Sequence, residues 1–333
     1  MRNASAIRCT PPYRRLEIPN SGLPWTEHKM FKFTFQVEPD EEIASAALKD
    51  EETKQAPDAN GTSTVEKETP EVYPCEELTF DPSSLSNKTA INPDVTSTFQ
   101  PAPDCSIEYL NQLALLDETF TDDIVTAESD HSDLVPNRYE GGLKVWECTY
   151  DLGQFLATSD ERKAELHGKK VLDLGCGAGI LGIEALLFGS SCVHFQDYNK
   201  DVLTKLTMVN YDLNCRTTNE TEAEAKEPPT AQVKFFSGDW GSFTDQYQHK
   251  YDLILTSETI YSTDNYTKLL ELFDRKLEPE GVVYLAAKTY YFGVGGGVRL
   301  FEQAIDTDGR FQHKVVWKCE TGVKREIVRM TRK

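Results

Sequence analysis

In the second half of the chain, short apolar runs bounded by turn residues alternate with apolar positions at helical spacing. Val171, Leu172 and Leu174 predict a buried strand. Gly175, Gly177 and Gly179 follow at alternate positions, and Ile180, Leu181, Ile183, Leu186 and Leu187 then set a helical pattern. Cys192 to Phe195 is the second strand and ends at Gln196, Asp197 and Tyr198. A helix follows through Asn210 and Leu213. Val233, Phe235 and Phe236 mark the third strand, closed by Ser237, Gly238, Asp239 and Trp240. Tyr251 to Leu255 is the fourth, leading into Thr256-Ser257-Glu258-Thr259-Ile260-Tyr261 and a helix from about Asp264 to Leu277. Val282 to Ala287 is the fifth; a last helix and two strands, near Gln312–Lys318 and Arg325–Thr331, complete seven. Strands alternating with helices predict an α/β fold, a doubly wound sheet with an antiparallel strand expected at its far edge. Ahead of the first strand, Gly141-Gly142 is a turn signal, and Trp146 onward reads as a helix with Leu152, Phe155 and Leu156 inward. That helix is placed to cover the open end of the sheet.

Upstream the patterning fades. Residues 38 to 100 are rich in Glu, Asp, Thr, Ser, Pro and Ala. Such a segment buries too little apolar surface to offset its chain entropy, so disorder is expected. Ile107, Leu110, Leu113, Leu115 and Leu116 suggest one short helix, and order is expected to begin near His131. The chain divides on this reading into an acidic, mostly disordered region (1–130) and a folded domain (131–333). Residues 1 to 29 carry Pro11, Pro12, Pro19 and Pro24 and look unstructured. Met30 opens F-K-F-T-F-Q, where Phe31, Phe33 and Phe35 alternate as in a strand or docking segment; Met1 and Met30 both stand as candidate starts. Residues 216 to 230 read as a charged insertion loop.

Charge sharpens the division. Residues 36 to 133 hold 24 Asp and Glu against 4 Lys, which accounts for the net charge of −20; the remainder carries 31 of each sign. The acidic region reads as a solubilising leader, with attraction of a basic partner as the alternative. The acidic balance argues against broad nucleic-acid binding. The 8 cysteines show no metal-ligand spacing and are expected to be reduced thiols in an intracellular protein. No apolar run approaches the ~20 residues of a membrane span, and no leader-like apolar block opens the chain.

Strand, glycine turn and helix begin a nucleotide-binding unit. Gly177, Gly179 and Gly182 fit the dinucleotide spacing G-x-G-x-x-G. The shifted frame D-x-G-x-G-x-G, with Asp173 before the first glycine, resembles instead the S-adenosylmethionine (SAM) site of seven-stranded methyltransferases. Asp197 at the tip of strand two suits a ribose diol, or a helix N-cap shared with Asn199. His194, inside strand two, reads as a packed core histidine. The Gly295-Gly296-Gly297 run reads either as a flexible turn or as a backbone surface open to a substrate loop.

Longer blocks carry a narrower resemblance. Glu258-x-x-Tyr261 resembles the [DE]-x-x-Y motif of the family-16 protein methyltransferases. E-G-G-L-K-V-W-E-C-T from Glu140, H-F-Q-D-Y-N from His194 and Y-F-G-V-G-G-G-V from Tyr291 are similar to the protein-histidine N-methyltransferases that modify a large-subunit ribosomal protein. The resemblance covers residues 130 to 333 well and the region before them loosely. It implies a seven-stranded, Rossmann-like SAM-dependent methyltransferase domain. Val145, Trp146, Glu147, Cys148 and Thr149 would line the SAM site beside Asp173, Gly175 and Gly177. Gln196, Asp197 and Tyr198 would hold the ribose, and Gly238, Asp239 and Trp240 the adenine. Ser257 would close the methionine side, while Glu258 and Tyr261 would face the substrate as catalytic residues. The resemblance further implies the tele nitrogen as acceptor, a monomer, a role in ribosome assembly or translation, and a cytoplasmic and nuclear or nucleolar location. The insertion at 216–230 lacks the basic cluster of a nuclear-import signal. Two alternatives stay open at this point: a protein-lysine methyltransferase, since [DE]-x-x-Y does not separate the two acceptors, and a SAM-binding ribosome assembly factor with little turnover.

Overall fold

In a computed structural model, residues 73–85, 94–115, 120–121, 124–125, 138–215 and 231–333 are described. The Phe31–Phe35 alternation, the stretch 1–29, Leu116, His131 and the insertion 216–230 lie outside them. The described residues fall in one unit, Glu66–Lys333.

Among the described residues, three strands precede the first long helix: β1 (Glu76–Leu78), β2 (Thr96–Ala102) and β3 (Cys105–Leu110). The expected helix α1 (Glu147–Ala157) and strand β4 (Lys170–Leu174) follow, separated by α2 (Asp160–Leu166). Next come α3 (Ile180–Leu187), β5 (Cys192–Asp197) and α4, built from Lys200–Val202, a π-helical turn Leu203–Thr207, and Met208–Cys215. The rest is β6 (Gln232–Ser237), α5 (Trp240–Gln246), β7 (Tyr251–Ser257), α6 (Tyr266–Lys276), β8 (Leu277–Lys288), α7 (Val298–Asp308), β9 (Phe311–Lys318) and β10 (Arg325–Arg332).

The strands form a sheet of order β1-β6-β5-β4-β7-β8-β10-β9. β4, β5, β6, β7 and β8 run parallel, and β10 is antiparallel to both β8 and β9. The antiparallel strand therefore lies one place in from the edge rather than at it, because β9 and β10 are a hairpin inserted with β10 against β8. Successive β4 residues point to opposite faces. Val171 packs with the α1, α3 and α4 side, and Leu172 and Leu174 with the α5, α6 and α7 side.

The region expected to lack order contributes more than anticipated. β1 adds an eighth strand, antiparallel to β6, with Leu78 opposite Phe235. β2 and β3 form a hairpin with Phe99 opposite Ile107. Ile107 and Leu110, expected on a helix, lie in β3, while Leu113 and Leu115 fall in a 3-10 turn, Gln112–Leu115. The i, i+3 spacing of Ile107, Leu110 and Leu113 mimics a helix. The strand buries Cys105, Ile107 and Leu110 against α4, where the Asn210 Oδ1 accepts from Leu110 N (2.8 Å). Order therefore begins well before 131 in these segments.

Candidate functional site

Parallel α/β sheets bind ligands beyond the carboxyl ends of their strands. Here those ends open on a cavity floored by Gly175, Cys176, Gly177 and Ala178 after β4. Asp197 and Tyr198 after β5, Asp239 and Trp240 after β6, and Ser257, Glu258, Thr259 and Tyr261 after β7 wall it. The segment from Glu140 to Thr149, entering α1, closes the top. Gly177 holds φ +50°, and a Cβ there would meet Gly142 O at 3.1 Å. The floor and the covering turn thus approach backbone to backbone, which a side chain would prevent.

The acids of the site are differently placed. Asp197 is 4% exposed and accepts from Gly177 N (2.9 Å) and Asn199 N (3.1 Å). Burial pushes its carboxyl up to about 6. It therefore serves the cavity wall and the turn toward Asn199 together. Asp173 stands behind the floor, buried, with Oδ2 accepting from Gly182 N (2.8 Å). Burial, with a smaller contribution from Asp197, pushes it up to about 8. It braces the glycine turn and does not line the cavity. Asp239 caps α5, accepting from Gly241 N and Ser242 N (2.8 and 3.2 Å), and pairs with Lys268 Nζ at 2.5 Å. An adenine amine would share this carboxylate with those partners.

Others of the expected residues act at one remove. Gln196 donates to Gly238 O (2.7 Å) and accepts from Trp240 Nε1 (2.9 Å), so it orients the indole. Gly238 is packed against the backbone of Pro74 and Cys75. Glu147 turns outward toward Lys288 Nζ (3.8 Å). Cys148 is fully buried behind the wall, its thiol pushed up well above its ordinary value by burial and then by Glu258. Thr149 Oγ1 and Ser257 Oγ share a hydrogen bond (2.7 Å) that ties α1 to the end of β7. Of the residues sequence reasoning assigned to the site, Val145, Trp146, Thr149, Gly175, Gly177, Asp197, Tyr198, Asp239, Trp240, Ser257, Glu258 and Tyr261 line the cavity. It missed the lining residues Glu140, Gly141, Gly142, Lys144, Cys176, Ala178, Thr259, Asn265 and Lys268. Asn265 and Lys268 lie at the entry to α6 and on its first turns, where no local motif marks them.

Glu258 holds φ +60°, the one non-glycine residue with positive φ among those described. Such backbone costs of order 1–3 kcal/mol and clusters at functional sites. The position is fixed by Glu258 N donating to Ala286 O (2.9 Å). Its Oε2 accepts from Tyr291 OH, and its Oε1 has no hydrogen-bond partner and faces Lys288 Nζ at 3.7 Å. Within the Gly295–Gly297 run, Gly295 makes a turn at φ +84° with open space around it, while Gly296 and Gly297 are close-packing positions: a Cβ on Gly296 would meet Ile260 O at 2.3 Å. Its near neighbour is the chain's own backbone. His194 is a core residue, as expected, with Nδ1 at 2.8 Å from Tyr251 OH; burial drives it down to about 3.

The lysine methyltransferase model, Methyltransf_16, matches residues 136–292. The bovine (Bos taurus) histidine protein methyltransferase 1 homolog is 39% identical over 73% of this chain and 69% of its own length. The chain belongs to the histidine protein methyltransferase 1 family. Relatives of the same name are 43% identical in Mus musculus, over 61% of this chain and 60% of theirs, and 44% in Dictyostelium discoideum, over 61% and 62%. The chain thus spans less than two thirds of the length of these two. As a histidine protein methyltransferase family member it is a SAM-dependent methyltransferase. The residues present fit that donor. A buried carboxylate, Asp197, faces the cavity and would suit a diol; Tyr198 beside it and Trp240 after β6 supply aromatic wall; and the Gly175–Gly177 floor leaves room against the backbone.

Proposed function

We propose that this enzyme methylates the tele nitrogen of a histidine in a large-subunit ribosomal protein, and so tunes ribosome assembly or translation. The observation that carries the histidine acceptor is the Glu258 carboxylate on the cavity wall, with Lys288 Nζ 3.7 Å from its Oε1. A lysine acceptor arrives as an ammonium with a pKa near ~10.4 and must lose a proton and its hydration. It would bring a second cation to a carboxylate that Lys288 already faces. An imidazole, with a pKa near ~6.5, arrives mostly neutral and needs only an acceptor for its one N–H.

When bound, SAM supplies an electrophilic methyl group on a sulfonium. The cavity residues hold donor and acceptor in line, and such alignment is worth roughly 7–11 kcal/mol. Glu258 accepts the N–H of one ring nitrogen, which fixes the tautomer with the lone pair on the other. That lone pair forms the new N–C bond while the C–S bond breaks and its electrons stay on sulfur. The proton on the Glu258 side then leaves to water. Tyr261 walls the acceptor. A side chain entering a recessed cavity presents its outermost ring nitrogen first, which favours the tele position. The family resemblance supports the ribosomal acceptor and a location in cytoplasm and nucleus.

The test offers methyl-labelled SAM with purified large ribosomal subunits, with free large-subunit proteins and with other cell fractions. The expected result is label in one ribosomal protein, recovered as tele-methylhistidine and absent with Asp197→Lys. Label confined to non-ribosomal proteins would reject the acceptor class, and pros-methylhistidine would reject the nitrogen.

A further inference from the structure

Tyr291 lies outside the cavity lining, yet it is joined to the cavity's acid. Its hydroxyl is buried with the ring, 9% exposed, and is engaged on two sides. Lys288 N donates to the hydroxyl oxygen (3.2 Å), and the hydroxyl donates to Glu258 Oε2 (2.5 Å). A phenol carries one proton. With an amide filling an acceptor position, that proton is directed at the carboxylate. Burial, and after it Glu258, drives the phenol well above its ordinary value, so it remains a donor.

The ring itself is pinned. Tyr291 N donates to Gly296 O (2.9 Å), Gly295 N donates to Tyr291 O (3.0 Å), and Gly296 N donates to Tyr261 O (2.9 Å). This glycine loop lies on the backbone of Ile260 and Tyr261, which leaves no space for a Cβ at 296. The Tyr261 and Tyr291 rings meet edge-on, with centroids 6.4 Å apart. Lys288 Nζ lies over both the Trp146 ring (5.0 Å) and the Tyr291 ring (5.6 Å), facing the other carboxylate oxygen.

We infer that Tyr291 is a positioning residue: its hydroxyl holds the Glu258 carboxylate in one orientation on the cavity wall, where the acceptor ring is received. The inference rests on the histidine reading for the identity of that ring. Its test does not depend on it. Oε2 is bound by the phenol, and Oε1 is buried without a hydrogen bond, 3.7 Å from Lys288 Nζ, so phenol and ammonium together set the plane of the carboxylate. Without the phenol proton the carboxylate rotates between arrangements, and only some present an oxygen to the acceptor.

The experiment is a double-mutant cycle on the full chain, scored as label transferred from saturating SAM. It uses wild type, Glu258→Gln, Tyr291→Phe and the double variant. Phenylalanine keeps the ring in its pocket, and melting midpoints and SAM affinity are read alongside. Tyr291→Phe is expected to lower kcat about tenfold, the size of one charge-assisted hydrogen bond, with KM for SAM unchanged. Glu258→Gln is expected to lower it about a hundredfold. The double variant should be no slower than Glu258→Gln alone. A Tyr291→Phe enzyme with wild-type kcat, or losses that multiply in the double variant, would overturn the inference. Methyl-lysine as the wild-type product would end the histidine reading and leave the cycle to decide the role of Tyr291.

Discussion

At the scale of single residues, the acids at the strand ends link chemistry to pH. Unfolded, Asp173 and Asp197 lose their protons near the ordinary ~3.9. Folded, burial holds those protons up to about 8 and about 6. Between pH 4 and 8 the folded chain therefore binds more protons, and its stability falls as pH rises. The ligand acts in the opposite sense. With the ribose on Asp197, as the family resemblance implies, its hydroxyls would donate to the ionised carboxylate, so SAM should bind about tenfold more tightly at pH 7 than at pH 5. A proton should be released on binding near pH 6. Titration calorimetry in buffers of different ionisation heat reads both effects. Asp197→Asn should abolish the proton release and weaken binding; an unchanged release would remove Asp197 from the ribose site.

At the scale of elements, most of the sheet was legible because its strands are buried on both faces and read as continuous apolar runs. The tip residues Asp197, Asp239 and Glu258 follow such runs directly, so their place in the fold could be read with the strands. The hairpin was hidden for two reasons. Its apolar residues sit among acids and prolines, and one face of β3 falls at helical spacing. Tyr291 was hidden because its partner, Glu258, is far away in sequence and meets it only through the packing of β7 against β8. The hairpin also bears on the cofactor floor. Asn210 on α4 accepts from Leu110 N and donates to Ala178 O (2.9 Å), joining β3 to the glycine turn. Asn210→Leu leaves a buried N–H and a carbonyl unpaired. It should cost about 2–4 kcal/mol in urea denaturation and weaken SAM binding severalfold. A stability loss with unchanged SAM affinity would show that the hairpin supports the core alone.

At the scale of the whole molecule, among the described residues those that line the cavity fall between Glu140 and Lys268, and the sheet starts at Glu76. Removing residues 1–72 should therefore leave the melting midpoint and SAM affinity unchanged. As a solubilising leader, the acidic region should also leave KM for the protein acceptor unchanged at low and high salt. A rise in KM at low salt alone would show that it steers a basic acceptor.

The central claim is that the folded chain uses Glu258 to direct SAM chemistry at an imidazole. The most direct measurement is the identity of the modified amino acid. Purified protein is incubated with methyl-labelled SAM and cell extract, with Asp197→Lys in parallel, and the labelled band is hydrolysed completely. The account predicts methylhistidine, absent from the Asp197→Lys reaction. Label in methyl-lysine would contradict it.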